Sequence, residues 1–147
     1  MLWRRILAAG EVIGGLLALS AMIFAAQAAA QAGVSKLVIA AGIALDLLTF
    51  VAGITLWFRS TTGIVLSEIA LALQSVQVFT NRLVWQYVAS PAFLVQFIGG
   101  KWQWDGGLLI RHTLLPQGES TGAGLNLIAI LALILLIFRF HLHGSDV

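Results

Sequence analysis

Hydrophobic residues dominate four long stretches of this chain, separated by short polar breaks. Residues 6–26 and 36–58 are apolar almost throughout. Each is long enough for a membrane-spanning helix, which needs ~20 such residues. In the first, Gly10, Gly14, Ala18, Ala21, Ala25 and Ala29 recur every three or four residues. This small-residue stripe lets another backbone approach closely. In the second, Gly42, Asp46, Thr49 and Gly53 share one face by the same spacing.

Residues 62–89 read as a third helix, half polar around its circumference. Ser67, Glu68, Gln74, Ser75, Gln77 and Asn81 form the polar side, which must be hidden from lipid against other helices. At 1.5 Å per residue the helix would measure ~42 Å, more than the ~30 Å hydrocarbon core. Its far end should therefore emerge, with Trp85 and Tyr87 as interfacial anchors and Ser90-Pro91 as the stop. Residues 124–139 form a fourth span, apolar except for Asn126.

The segment 91–122 breaks the helical rhythm. Gly99-Gly100 and Gly106-Gly107 divide it into three runs, and Trp102 and Trp104 alternate with Lys101, Gln103 and Asp105. Gly-Gly suits two-residue hairpin turns, so these runs predict an antiparallel meander, with Trp102 and Trp104 as further interface anchors. A re-entrant helix over 92–98 is the alternative. The predicted fold is an all-α membrane protein of one domain. It has four transmembrane helices and a small antiparallel β-meander inserted between helices 3 and 4.

Composition agrees with a membrane class. Hydrophobic residues make up 60% of the 147, charged residues 10%, and mean hydropathy is +0.99. A soluble domain carries about 25% charged residues. The pI near 9.7 reflects a net charge of only +2. The basic residues are scattered at the ends of apolar runs, which argues against nucleic acid as a partner. Arg4, Arg5, Arg59 and Arg139 fall on one side of a four-span topology and Lys36, Arg82, Lys101 and Arg111 on the other; the count is even, and it is the terminal and short-loop charges that predict both termini in the cytoplasm, at a bacterial inner membrane. A secretory signal would also start basic and apolar. The run 6–26 is longer than the usual ~7–15-residue signal core, however, and Glu11 interrupts it. With no cysteine, disulfides, thiol chemistry and Cys-ligated metals are excluded.

Three acidic residues lie inside the predicted spans: Glu11, Asp46 and Glu68. Charge is costly in lipid, so such residues are either hydrogen-bonded to neighbouring helices, part of a proton or cation path, or matched by a partner's base. Thr49, Gln74, Gln77 and Asn81 read as polar helix-packing residues, since interhelical amide bonds hold membrane helices together. His141 and His143 are spaced so that they leave one helical face, and His112 lies in the meander, so no metal site is expected. No nucleophile elbow, phosphate loop or dinucleotide fingerprint occurs, and no cofactor is expected. These features predict a non-enzymatic accessory or oligomerising subunit of a membrane assembly. Its partners would be the lipid bilayer and either further copies of itself or a larger membrane complex. The alternative is a small proton- or cation-coupled transporter or channel using the three carboxylates.

Overall fold

The computed structural model describes the chain except residues 1, 32, 59, 81–83, 116–120 and 143–147, together with the side chains at 108, 112–115, 141 and 142. It overturns the all-α expectation. Helices α1 (Leu2–Gln31), α2 (Lys36–Trp57) and α3 (Thr61–Ser75) are followed by strands β1 (Val76–Phe79), β2 (Val84–Ile98), β3 (Lys101–Leu115) and β4 (Gly122–Asn126). Helix α4 (Leu127–Ile137) then runs into a π-helical turn, Phe138–Leu142. Two helices, α1 and α2, are long and apolar enough to cross a membrane. The molecule is therefore a mixed α and β structure, not a four-helix bundle.

The first two helices match their hydrophobic runs. Ser35 caps α2 by accepting from the Val38 N–H at 3.3 Å. The two helices pack closely through glycine: a Cβ on Gly15 would lie 2.6 Å from the Phe50 nitrogen, and one on Gly53 2.7 Å from the Val12 nitrogen. Trp3 meets Phe140 at 6.3 Å and Arg5 lies 5.9 Å from the Trp57 ring. The start of α1, the end of α2 and the end of α4 thus share one end of the molecule.

The third predicted helix stops at Ser75, fourteen residues short of 89. The next residues are Val-Gln-Val-Phe, in which Gln77 alternates with β-branched valines before an aromatic residue, a pattern that fits a pleated surface better than a helix. Trp85 and Tyr87 lie in β2 rather than at a helix end, and Pro91 sits inside that strand. The meander is also corrected. Only Gly99-Gly100 makes a turn, with φ of +57° and +79°, both positive as a type I′ hairpin requires. Gly106-Gly107 stays within β3. Gly106 pairs with Phe93, whose ring lies 3.1 Å from where a Cβ would sit, so this glycine makes room for an aromatic cross-strand neighbour. The fourth predicted span is likewise divided between β4 and the short α4.

The sheet order is β1-β4-β2-β3, all antiparallel, with β1 also meeting the start of β2. Strand β2 pairs with β3 along its whole length, from Val84↔Leu115 to Ile98↔Lys101. On its other edge β2 pairs with β1 at Trp85 and with β4 from Leu94 onward. β1 and β4 are antiparallel to each other as well. In a flat sheet two strands antiparallel to a third would be parallel to one another. The three pairings therefore require β2 to bend between Trp85 and Leu94, where Pro91 lies. The bent strand crosses α1, with Ala89 and Ser90 against Gly14.

Polarity is inverted relative to a water-soluble domain. Glu11, Asp46, Thr49, Ser67, Gln74, Gln77 and Asn126 are fully or almost fully buried. Leu2, Phe24, Leu37, Phe58, Leu131 and Ile134 are more than half exposed.

Candidate functional site

The buried polar groups form a seam between the helices and the bent strand. In a strand, successive N–H groups point to opposite edges. Ala89, Pro91 and Phe93 therefore share the edge of β2 that faces away from β3. This edge lies in the gap between β1 and β4, and each position is resolved differently. The Ala89 N–H donates to Gln74 Oε1 at 3.1 Å. Pro91 has no N–H. The Phe93 N–H donates to Asn126 Oδ1 at 3.3 Å, and the same oxygen caps α4 by accepting from the Ala129 N–H. Gln74 Oε1 also takes the Ser90 hydroxyl at 2.8 Å. Two carboxamides and a proline thus complete an edge that, among the described residues, no neighbouring strand covers.

Gln77 does related work one turn of chain later. Its Oε1 accepts from the Nε2 of Gln86 at 3.4 Å and from the Nε2 of Gln96. A single β1 side chain thereby ties both halves of β2. Tyr87, 1% exposed, reaches α2: its phenol lies 2.6 Å from the Thr49 hydroxyl and donates to the Leu45 carbonyl at 2.7 Å. Tyr87 is therefore a buried tie between sheet and helix and not an interfacial anchor.

Burial pushes the Tyr87 phenol's pKa up, and the Thr49 bond opposes this. A raised phenol pKa leaves stability unaffected below the unfolded value of ~10. Stability then falls as the pH climbs from there toward the folded value, because only the unfolded state has released the proton. Tyr87 is the sole tyrosine of the chain. Its ultraviolet titration should show no phenolate at pH ~10 in the folded protein and about half in denaturant. Equal titration in both states would contradict this burial.

The carboxylates predicted from the sequence do not form one cluster. Glu11 is 1% exposed, and its Oε2 accepts the Ser67 hydroxyl at 2.7 Å, joining α1 to α3. Its Oε1 is buried with no partner. Asp46 is fully buried in α2 within electrostatic reach of Tyr87. Glu68 is half-buried. Glu11 lines a cleft of about 270 Å³ between α1, α3, α4 and β2 that includes Leu7, Leu71, Ser90, Ala129 and Leu131. Neither Asp46 nor Glu68 lines it. Among the described residues no group of three His, Asp or Glu side chains is placed to hold a metal.

Of the predicted packing residues, Thr49, Gln74 and Gln77 all lie in the seam, each bonded to β2; Asn81 lies outside the described residues. Trp85 is half-buried, its ring centroid 6.5 Å from that of Tyr87. Trp102 and Trp104 are 68% and 75% exposed near the hairpin tip. The sequence pattern assigns no role to Gln86 and Gln96, and gives Ser90 only a place in the Ser90-Pro91 stop. Their signal was polarity at isolated positions within an otherwise apolar run, which becomes legible only once the run is known to be a strand.

The same register defines the sheet's outer face. Phe97 opposes Trp102 and Ala123, Val95 opposes Trp104 and Leu125, and Leu125 opposes Val76. Every one of these side chains is apolar, and the Phe97 and Trp102 rings meet at a tilt of 54° with centroids 5.1 Å apart. The opposite face carries Gln77, Gln96 and Asn126, which are buried. Comparison of the chain with protein-family models, with curated proteins and with solved structures yields no match.

Proposed function

We propose that this chain is a small, non-enzymatic integral membrane protein that serves as an oligomerising or accessory subunit, with both termini on the cytoplasmic side of a bacterial inner membrane. The observation that carries this reading is the sheet's outer face, on which Val76, Phe93, Phe97, Trp102, Trp104 and Leu125 are all more than 40% exposed. A contiguous apolar patch of this kind marks a contact with lipid or with another protein. The buried amides and exposed aliphatic side chains of the helices support membrane residence. The clustering of Arg4, Arg5 and the α4 end with Arg139 supports the orientation. Strand β3 supports assembly: among the described residues it pairs with β2 alone, and an unpaired strand edge at membrane depth requires cover.

Light scattering on the protein in a mild detergent tests the reading. A stable oligomer or a co-purifying membrane protein is expected, and replacing both Trp102 and Trp104 with Lys should release monomer without loss from the membrane fraction. A wild-type protein that is strictly monomeric and partnerless would sink the proposal. The transport alternative is less well supported, because it needs the carboxylates in one hydrated cavity and only Glu11 lines the cleft described above.

A further inference from the structure

Strand β3 ends the sheet, and among the described residues no strand lies beside its outer edge. The pairing with β2 fixes which groups lie on that edge. Ala89 and Phe93 of β2 turn their N–H groups away from β3. Their partners Ile110 and Gly106 therefore turn theirs away from β2. By the same alternation every second residue from Trp102 to Leu114 presents a backbone donor and acceptor outward. One of these donors, the Gly106 N–H, is met by Asp105 Oδ1 of its own chain at 2.9 Å. The strand is also bent. Asp105 and Arg111 form an ion pair, although six residues of straight strand span about 20 Å. The bend lies between them and follows that of β2, since Pro91 pairs with Leu108. Leu108 is the midpoint both of that ion pair and of the whole strand, Lys101–Leu115.

We propose that the outer edge of β3 is covered by β3 of a second copy of this chain, antiparallel, about a twofold axis through Leu108. Strand length, bend and charge select this register together. It lays Lys101 opposite Leu115 of the copy, so the whole strand is paired. An axis normal to the sheet at the bend sets the two bends side by side and in the same direction. Asp105 falls opposite Arg111 of the copy, and Arg111 opposite Asp105, so two ion pairs become a ring of alternating charges. The Arg111 and Asp105 side chains are 38% and 39% exposed, which leaves room for a second partner. Shifting the register by two residues sets Asp105 opposite Leu109 or Thr113 and loses this match. Turning the strand about Asp105 or about Arg111 opposes like charges, which destabilises a strand pair. Setting Lys101 opposite Asp105 pairs only the segment 101–105. In the chosen register outward-facing residues meet each other, Gly106 with Ile110 and Trp104 with His112. The Gly106 N–H passes to the Ile110 carbonyl of the copy, which frees Asp105 for the guanidinium groups. The inference rests on the assembly reading and names its partner and its surface.

The chain has no cysteine, so single cysteines report neighbours directly. In oxidised membranes Leu108→Cys should become a disulfide-linked dimer, because hydrogen-bonded strand positions bring Cα atoms about 5.5 Å apart, within disulfide reach. Leu125→Cys, on the outer face two strands from the edge, should remain unlinked. Asp105→Arg and Arg111→Asp should each lose the dimer, since like charges then face each other within and between copies. Co-expressed with different affinity tags, these two variants should recover one another in a pull-down, because each strand then meets its opposite charge. A role for the ion pair within one chain alone predicts no such rescue. Leu108→Cys decides the matter if the charge variants do not fold. Linking through Leu125→Cys in place of Leu108→Cys overturns the edge pairing and leaves an assembly joined through the outer face. Co-purification of a different membrane protein with no link at Leu108→Cys overturns it and leaves the accessory reading. A wild-type protein that is strictly monomeric and partnerless sinks both.

Discussion

Gly14→Ala is expected to destabilise the protein by about 3 kcal/mol or more, while Gly10→Ala, one helical turn away, should be neutral or slightly stabilising. A Cβ on Gly14 would overlap the carbonyl oxygen of Ala89 and lie 2.7 Å from its carbonyl carbon and 3.0 Å from the Ser90 Cα. All three are backbone atoms, so no side-chain rotation relieves the overlap. The strand cannot retreat easily, because β3 holds it along its full length and Gln74 holds Ala89 from the other side. Overpacking of a tight interior typically costs 1–3 kcal/mol, and a backbone clash belongs at or beyond the upper end. The helix-propensity gain of alanine over glycine, about 1 kcal/mol, does not offset it. At Gly10 the nearest atom to a new Cβ is Pro91 Cδ at 3.6 Å, an ordinary contact, so the propensity gain is left to act alone. Thermal unfolding followed by circular dichroism in detergent measures both variants. If Gly14→Ala melts with the wild type, β2 does not cross α1 at this point.

Gln74→Leu should be nearly as damaging, at about 2–6 kcal/mol. The change preserves much of the side-chain volume but removes the acceptor of the buried Ala89 N–H and leaves the Ser90 hydroxyl only its long 3.4 Å bond to the Pro91 carbonyl. Each orphaned donor costs about 1–3 kcal/mol. Water has poor access to either, since Ala89 is fully buried and Ser90 is 7% exposed. Amide hydrogen exchange provides the site-specific readout, because the Ala89 amide should lose protection in Gln74→Leu. Unchanged exchange at Ala89 together with unchanged stability would show that the edge of β2 is completed in some other way.

These two residues also mark where the sequence was readable and where it was not. Gly14 belongs to a small-residue stripe whose spacing signals a close approach, and the approach is there. Its partner, however, is the Ala89–Ser90 backbone of a strand, not another helix. Gln74 reads as a buried hydrogen-bonding residue from its place in an apolar run, and it is one. Its partners, the Ala89 N–H and the Ser90 hydroxyl, belong to a strand that the helical reading of 62–89 had removed. The misreading has a local cause. Residues 62–75 are helix-compatible, and Val76 onward carries β-branched and aromatic residues whose apolar spacing also satisfies a helical period over a short window. Pro91 reads in the sequence as a stop. A bent strand tolerates proline where no N–H is wanted, and the gap between β1 and β4 is such a place.

By itself the sequence determined the properties set by local composition and period. These are the two long apolar helices α1 and α2, the positive-φ turn at Gly99-Gly100, the burial of Glu11 and Asp46, and the tie-forming character of Thr49, Gln74 and Gln77. The tertiary structure alone decided which backbone donors need side-chain acceptors, where β2 bends, that Tyr87 is buried against α2, and that Glu11 borders a cleft without Asp46 or Glu68. The physical reason is that a polar side chain in an apolar run announces only that it must find a partner. The identity of that partner depends on strand pairings between residues as distant as Val76 and Leu125, and no local period encodes them.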